Sequence, residues 1–196
     1  YHEHLSYFSL IPLMKLMEQF NLEIFDVKKQ KVHGGTIRVF VSEKNNYKKT
    51  IDLEKMIEFE KEIGINKSEI YYKFSENVKE LKNKLQSEIK KLKKEGKIIF
   101  GYGAPAKGNV LLNYCNIGTE FLDYIIDTTP LKQGLYTPGM HIPVKSDKEK
   151  IEKPSQQIAL LLAWNYEQAI INKEELFLKN GGKFLIPIPI PKIISK

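Results

Sequence analysis

What the sequence lacks bounds it first. A single cysteine, Cys115, excludes an internal disulfide and any zinc cage built from cysteines, and fits a reducing, cytoplasmic compartment. No apolar run approaches the ~20 residues that cross a bilayer, so no membrane association is expected. No basic segment followed by an apolar one opens the chain, so nothing marks a signal peptide. Histidine is scarce too: His2, His4, His33 and His141 are the full set, too few and too scattered to suggest a metal site. The first residue is Tyr1 rather than Met, in what reads as structured sequence, so a fragment or processed product is expected.

What is present is enough for a folded domain and something smaller. The chain has 196 residues, 42% of them hydrophobic, which can build a sizeable core. Its formal net charge of +7 raises nucleic acid as a partner. Much of the excess, however, lies on 67–98, where lysines alternate with glutamates along a helical face. That pattern describes a solvated helix surface, and no basic, aromatic-rich motif accompanies it. Attraction of a small phosphorylated substrate is the more economical use of the charge.

Residues 1–45 read as loop, helix, strand, strand. Ser9 can cap a helix with Pro12 in its first turn, and Leu10, Leu13, Met14, Leu16, Met17 and Phe20 give it a broad apolar face. Leu22–Val27 and Thr36–Val41 are β-type runs joined by His33-Gly34-Gly35, which supports a sharp reversal. This unit is too small to bury itself and calls for a larger sheet. A helical connector, 46–96, comes next. Thr50 caps a helix to about Ile63, and Asn66 with Glu69 opens a longer one to about Lys94. Ile70, Phe74, Val78, Leu81, Leu85, Ile89 and Leu92 recur along it at steps of three and four. The stripe is either a seam pairing two copies as a homodimer or one face packed on its own chain.

From residue 97 to 196 strands and helices alternate. Strands are expected at Ile98–Gly103, Phe121–Ile126, Ile142–Val144, Gln157–Ala163 and Lys183–Ile188, with helices at Ala106–Tyr114 and Tyr166–Lys179. That order implies an α/β, Rossmann-like parallel sheet with flanking helices. The Pro-Ile-Pro-Ile-Pro stretch near the end should run extended.

Four places carry candidate chemistry. Gly101-Tyr-Gly-Ala-Pro-Ala106-Lys-Gly108 lies between a strand and a helix, the context of a dinucleotide fingerprint. Gly101 suits the tight turn, Gly103 the close approach of a phosphate, and Ala106 close helix packing. Lys107 adds charge at the helix start, whose free N–H groups suit an anion. Asp127 ends the next strand about 20 residues on, where an acid that binds ribose would sit. Passing from strand to helix needs the same turn without any ligand. Second, Tyr1-His2-Glu3-His4 gathers two imidazoles and a carboxylate, the parts for proton abstraction beside a carbonyl, though a polar terminus or a tag remnant reads the same. Third, His33-Gly34-Gly35-Thr36 with Arg38 is a binding element or a plain hairpin reversal. Fourth, the long 128–143 loop, with Thr128, Thr129, Lys132, Gln133, Tyr136 and His141, leaves the sheet at its carboxyl edge, where open α/β sheets bind ligands. Trp164-Asn165-Tyr166 follows another strand at that edge and can stack a base or sugar, or cap the core.

In order along the chain, Tyr1-His-Glu-His-Leu5, His33-Gly-Gly-Thr-Ile-Arg38, Gly101–Gly108, Asp127-Thr-Thr-Pro130 with Lys132 and Gly134, Pro138–Pro143, Ala163–Tyr166 and Gly181-Gly-Lys-Phe184 resemble one family. It is the S-adenosylmethionine-dependent C-methyltransferases of nucleotide-linked deoxysugars. The resemblance implies that 1–45 is the carboxyl-terminal end of a methyltransferase domain, its active-site loop, helix and hairpin, and that 97–196 is the Rossmann-like carboxyl-terminal domain. It implies methylation of the carbon beside a 4-keto group, with His4 as base, Glu3 orienting it and Tyr1 near the substrate. His33, Arg38, Gly101, Gly103, Lys107, Gly108, Asp127, Lys132 and His141 would then contact the nucleotide-diphosphate sugar. S-adenosylmethionine would be held mainly by a missing upstream region, which would also carry the family's zinc, leaving this fragment inactive by itself. The alternative is a non-catalytic Rossmann-like module that binds NAD or a nucleotide sugar.

Overall fold

The computed structural model describes residues 5–32, 35–149 and 153–196. The chain divides into two compact units, residues up to 76 and residues 77–196.

In the first unit, helix α1 (Leu10–Glu18) leads to strands β1 (Leu22–Gln30) and β2 (Thr36–Glu43), an antiparallel pair, and then to α2 (Ile51–Glu62). Asn21, at φ 57°, takes the left-handed conformation between α1 and β1, which asparagine tolerates better than most residues. Leu10, Ile24, Val27, Leu53 and Met56 form a small core to which α2 contributes Leu53 and Met56, while Phe20, Phe40 and Val41 stay exposed. Ser9 is the first residue before α1, yet its side chain caps nothing. The carboxylate of Glu60, far along the sequence, accepts from the N–H of Leu10 at 2.6 Å and of Ile11 at 2.9 Å. A buried ionised acceptor at the positive end of a helix outcompetes a hydroxyl there. The Thr50 cap is as expected: its hydroxyl accepts from the Leu53 N–H.

Helix α3 (Ser68–Lys94) runs from the first unit into the second. The second unit then builds β3 (Ile98–Tyr102), α4 (Ala106–Cys115), β4 (Ile125–Asp127), β5 (Val144–Ser146), β6 (Gln157–Leu161), α5 (Glu167–Lys173), α6 (Glu175–Lys179), β7 (Lys183–Ile186) and β8 (Lys192–Ile194). The strand order is β5-β4-β3-β6-β7-β8, parallel except for β8. This is the Rossmann-like sheet with flanking helices that the alternation of elements predicts.

Because successive residues of a strand face opposite ways, the apolar runs feed two cores. Ile99, Ile125, Ile158, Leu160 and Leu185 meet α3 and α4 through Leu85, Ile89, Leu92, Leu111, Leu112 and Cys115. Phe100, Ile126, Ala159, Leu161, Phe184 and Ile186 meet the other layer through Phe177, Leu178 and Ile170. Each buried Leu, Ile or Phe contributes about 1.5–3 kcal/mol.

Several boundaries differ from expectation. Residues 121–124 are not strand, because Phe121 and Leu122 both donate to the Gly118 carbonyl and close a turn. Pairing of β5 begins at Val144, since Pro143 has no N–H to give and bridges back to Tyr136 instead. The expected helix over 166–179 breaks at Glu174 into α5 and α6. The Pro-Ile-Pro-Ile-Pro stretch does not simply extend: it bends at 188–190, and β8 after it returns antiparallel on the edge of β7.

Candidate functional site

The turn after β3 is shaped by contacts to its own chain. Gly103 makes it, at φ 82°, a conformation that costs other residues energy. Gly101 instead lies in the strand, where an added Cβ would meet Ile125 Cγ1 at 2.6 Å and Leu162 Cδ1 at 3.0 Å. On α4, a Cβ at Gly108 would sit 2.8 Å from that of Leu162. The turn therefore belongs to Gly103 rather than Gly101, and Gly108 is the residue that lets the helix approach the sheet. A Cβ at Gly103 itself would meet Ala163 at 3.2 Å.

Two N–H groups of the turn are already bonded. Gly103 donates to the Ile126 carbonyl at 2.8 Å and Ala104 to Asp127 Oδ2 at 2.7 Å. Lys132 Nζ donates to the Ala104 carbonyl at 2.9 Å and lies 3.6 Å from Asp127 Oδ2. The other Asp127 oxygen accepts from the Thr129 N–H at 2.8 Å. Asp127 and Lys132 thus grip both sides of Ala104 and tie the loop after β4 to the loop after β3. Burial raises the affinity of the Asp127 carboxyl for its proton, but the Ala104 and Thr129 donors and the Lys132 charge outweigh it, and the group is held below its ordinary 3.8.

Beside this clamp lies a cleft of about 340 Å³. It opens at the carboxyl ends of β3, β4 and β6, where the sheet's connections diverge to either side of β3, the position at which open α/β sheets take ligands. A long loop with one short 3-10 turn, Pro130–Lys132, joins β4 to β5. Ile126, Ala163, Ala169 and Ile170 give an apolar lining, and Thr128, Thr129, Lys132, Asp147, Tyr166 and Lys173 a polar one. Tyr102 also lines it and donates its hydroxyl to Glu174 at 2.7 Å. Burial first, and then the hydrogen bond to Glu174 and its charge, push the Tyr102 phenol far above its ordinary value. It stays a neutral donor. The Lys173 ammonium stands 3.9 Å from Asp147 and 3.8 Å from Glu174. The lining is thus apolar with hydroxyls, and each of its two lysines stands beside a carboxylate.

The structure brings Gly103, Asp127 and Lys132 together at this cleft. It leaves other expected residues elsewhere. Lys107 does not line the cleft; its ammonium bonds Asn165 and sits 4.8 Å from the centre of the Trp164 ring, and burial lowers its proton affinity. His141 is exposed in its loop, at φ 52°, with its N–H on the Thr137 carbonyl. Arg38 is exposed on β2, in the first unit. Tyr1, His2, Glu3, His4 and His33 lie outside the described residues. Among the described residues no group of three or more His, Cys, Asp or Glu could hold a metal, and no helix is long and apolar enough to cross a membrane.

Sequence reasoning missed Tyr102, Asp147 and Lys173. Asp147 directly follows β5, so the carboxyl-edge rule reaches it once that strand is placed correctly. Tyr166, Ala169, Ile170 and Lys173 fall at helical spacing on one face, legible only with the start of α5 in hand.

The sequence profile described as the C-methyltransferase C-terminal domain matches residues 31–189. C-methyltransferase NovU of Streptomyces niveus is 38% identical over 196 residues, which is 100% of this chain and 46% of that protein. The chain therefore spans about half the length of the curated relative it matches.

Proposed function

The chain belongs to the C-methyltransferase C-terminal domain family, and from that membership we propose that its second unit holds the substrate of an S-adenosylmethionine-dependent sugar C-methyltransferase. The substrate class is a nucleotide-linked 4-keto deoxysugar. The observation that carries the reading is the cleft at the carboxyl edge, where Lys132 and Lys173 flank an apolar lining. Phosphate oxygens take the ammonium donors and the flat ring takes the apolar surface.

The reacting groups are assigned from the family resemblance. Residues 1–45 close a methyltransferase domain, 46–96 connect it, and 97–196 form the substrate-holding domain. His4 takes the proton from the carbon beside the keto group, Glu3 fixes the imidazole, and Tyr1 donates toward the enolate oxygen. A carbon acid is far weaker than an imidazolium ion, so positioned donors matter; each is worth about 3–4 kcal/mol in comparable oxyanion sites. S-adenosylmethionine supplies the methyl group when bound. The glycine turn at 101–104 does not fit that cofactor, since its Gly103 and Ala104 N–H groups are bonded to Ile126 and Asp127, and its pocket is assigned to residues outside this chain. The chain by itself then transfers no methyl group. The same two bonded N–H groups speak against the NAD-binding alternative, which needs a free glycine turn around the pyrophosphate.

The test is kinetic, on a full-length methyltransferase carrying this region. Lys173→Ala raises KM for the nucleotide sugar and leaves kcat nearly unchanged. His4→Gln lowers kcat by about 10²–10⁴ and stops uptake of solvent deuterium beside the keto group. Unchanged kinetics in both variants would overturn the assignment.

A further inference from the structure

A second recess lies wholly within the first unit and stands apart from the methyltransferase reading. It is a groove of about 530 Å³ between the outer edge of β1, residues Val27–Gln30, and one face of α2, with Asp52, Lys55, Met56 and Phe59 at helical spacing. The Phe25 carbonyl accepts from the Thr50 N–H at 3.0 Å, and the Val27 N–H goes to Asp26 Oδ1 at 2.8 Å. Both groups therefore turn away from β2. By the two-residue repeat of an antiparallel strand, the Val27 carbonyl and both main-chain groups of Lys29 face the same way. Among the described residues no strand pairs that edge.

The charges in the groove are unequal. Lys28 is neutralised by Asp52 at 2.6 Å and Asp26 at 3.6 Å. Lys29 has no carboxylate within ion-pair distance among the described residues; its ammonium rests 4.9 Å from the centre of the Phe59 ring. Lys55 has none either. Two uncompensated ammonium groups thus border an apolar strip made by Met56 and by Phe59, whose surface is 46% exposed. A strand edge running beside a helix, with alternating polar and apolar recesses, is the geometry in which an extended peptide adds to a sheet.

We propose that this groove binds an extended acidic peptide segment of a partner protein, which adds along the β1 edge with its carboxylates on Lys29 and Lys55 and an apolar side chain against Phe59. Lysine on an edge strand also discourages unselective pairing, and here that charge selects an acidic strand over others.

The test uses the isotope-labelled 196-residue chain and amide-resolved NMR. The probes are a blocked peptide, acetyl-Glu-Leu-Glu-Leu-Glu-amide, its lysine counterpart, and tripolyphosphate. The acidic peptide is expected to shift the amides of 27–30 and 52–59 and to slow exchange of the Lys29 N–H by about tenfold at saturation. The lysine peptide shifts nothing, and the double change Lys29→Glu with Lys55→Glu weakens the acidic peptide by about tenfold. Shifts with tripolyphosphate but no protection of Lys29 by the peptide would make this a small-anion site and overturn the proposal. So would the absence of any shift, or equal binding of both peptides.

Discussion

Asp127 shows how a residue placed by sequence can carry a task that the sequence does not announce. Its position past a strand, downstream of a glycine turn, suggests a ribose-binding acid. In the structure its oxygens accept from Ala104 and Thr129, and Lys132 stands beside them. Replacing it with alanine leaves the Ala104 N–H without its acceptor, and urea unfolding is expected to show a loss of about 1–3 kcal/mol. The sign with pH is fixed by the depressed carboxyl: its contribution is complete above the ordinary 3.8 and fades as pH falls through the lower folded value. The stability gap between wild type and Asp127→Ala should therefore hold from neutral pH down to the ordinary carboxyl value of 3.8 and narrow as pH falls further below it. A gap constant over that range would contradict the role. The glycines carry the same lesson. Their spacing was legible, but which one turns, which lies under Ile125 and which admits the helix depends on Leu162 and Ala163, some 60 positions on. Gly108→Ala drives a Cβ to 2.8 Å from the Leu162 side chain, and a thermal melt should show an overpacking cost of about 1–3 kcal/mol. Glu60 was illegible as a cap for α1 for a related reason: nothing local to α1 points to it.

At the scale of elements, long periodic segments were legible and short ones were not. The limits of α2 and α3 lie within two residues of expectation, because helical periodicity accumulates over their length. Strand β4 has three residues, too few to establish a pattern, and its start is set by the turn hydrogen bonds before it. The stripe on α3 steps by four, four and three residues, an eleven-residue repeat that keeps to one side of a nearly straight helix rather than winding a left-handed coil. Leu85, Ile89 and Leu92 bury that stripe in the chain's own core, whereas Phe74 is 65% exposed. The packed reading thus holds for the carboxyl-terminal half of α3. Leu85→Ala should cost about 2–5 kcal/mol in chemical denaturation, and Phe74→Ala less than about 0.5. Equal losses at the two positions would mean the stripe is packed throughout.

For the molecule as a whole, alternation of strand and helix from residue 97 onward was enough to give the Rossmann-like sheet, since each element repeats one simple period. The site was less legible, because the cleft draws on four segments of the second unit that only the topology brings together. Lys107, next to the glycines in sequence, is held by Asn165 outside the cleft, and Lys173, remote in sequence, lines it. The net charge of +7 favours anionic ligands generally, with an attraction that salt screens over about 10 Å at 0.1 M. The most direct measurement is calorimetric titration of the 196-residue chain with dTDP and, separately, with NAD. Saturable one-site binding of dTDP is expected, weakened by Lys173→Ala and by added salt, with NAD binding less tightly. No heat with dTDP, or tight NAD binding that survives Lys173→Ala, would contradict a sugar-nucleotide cleft in this domain.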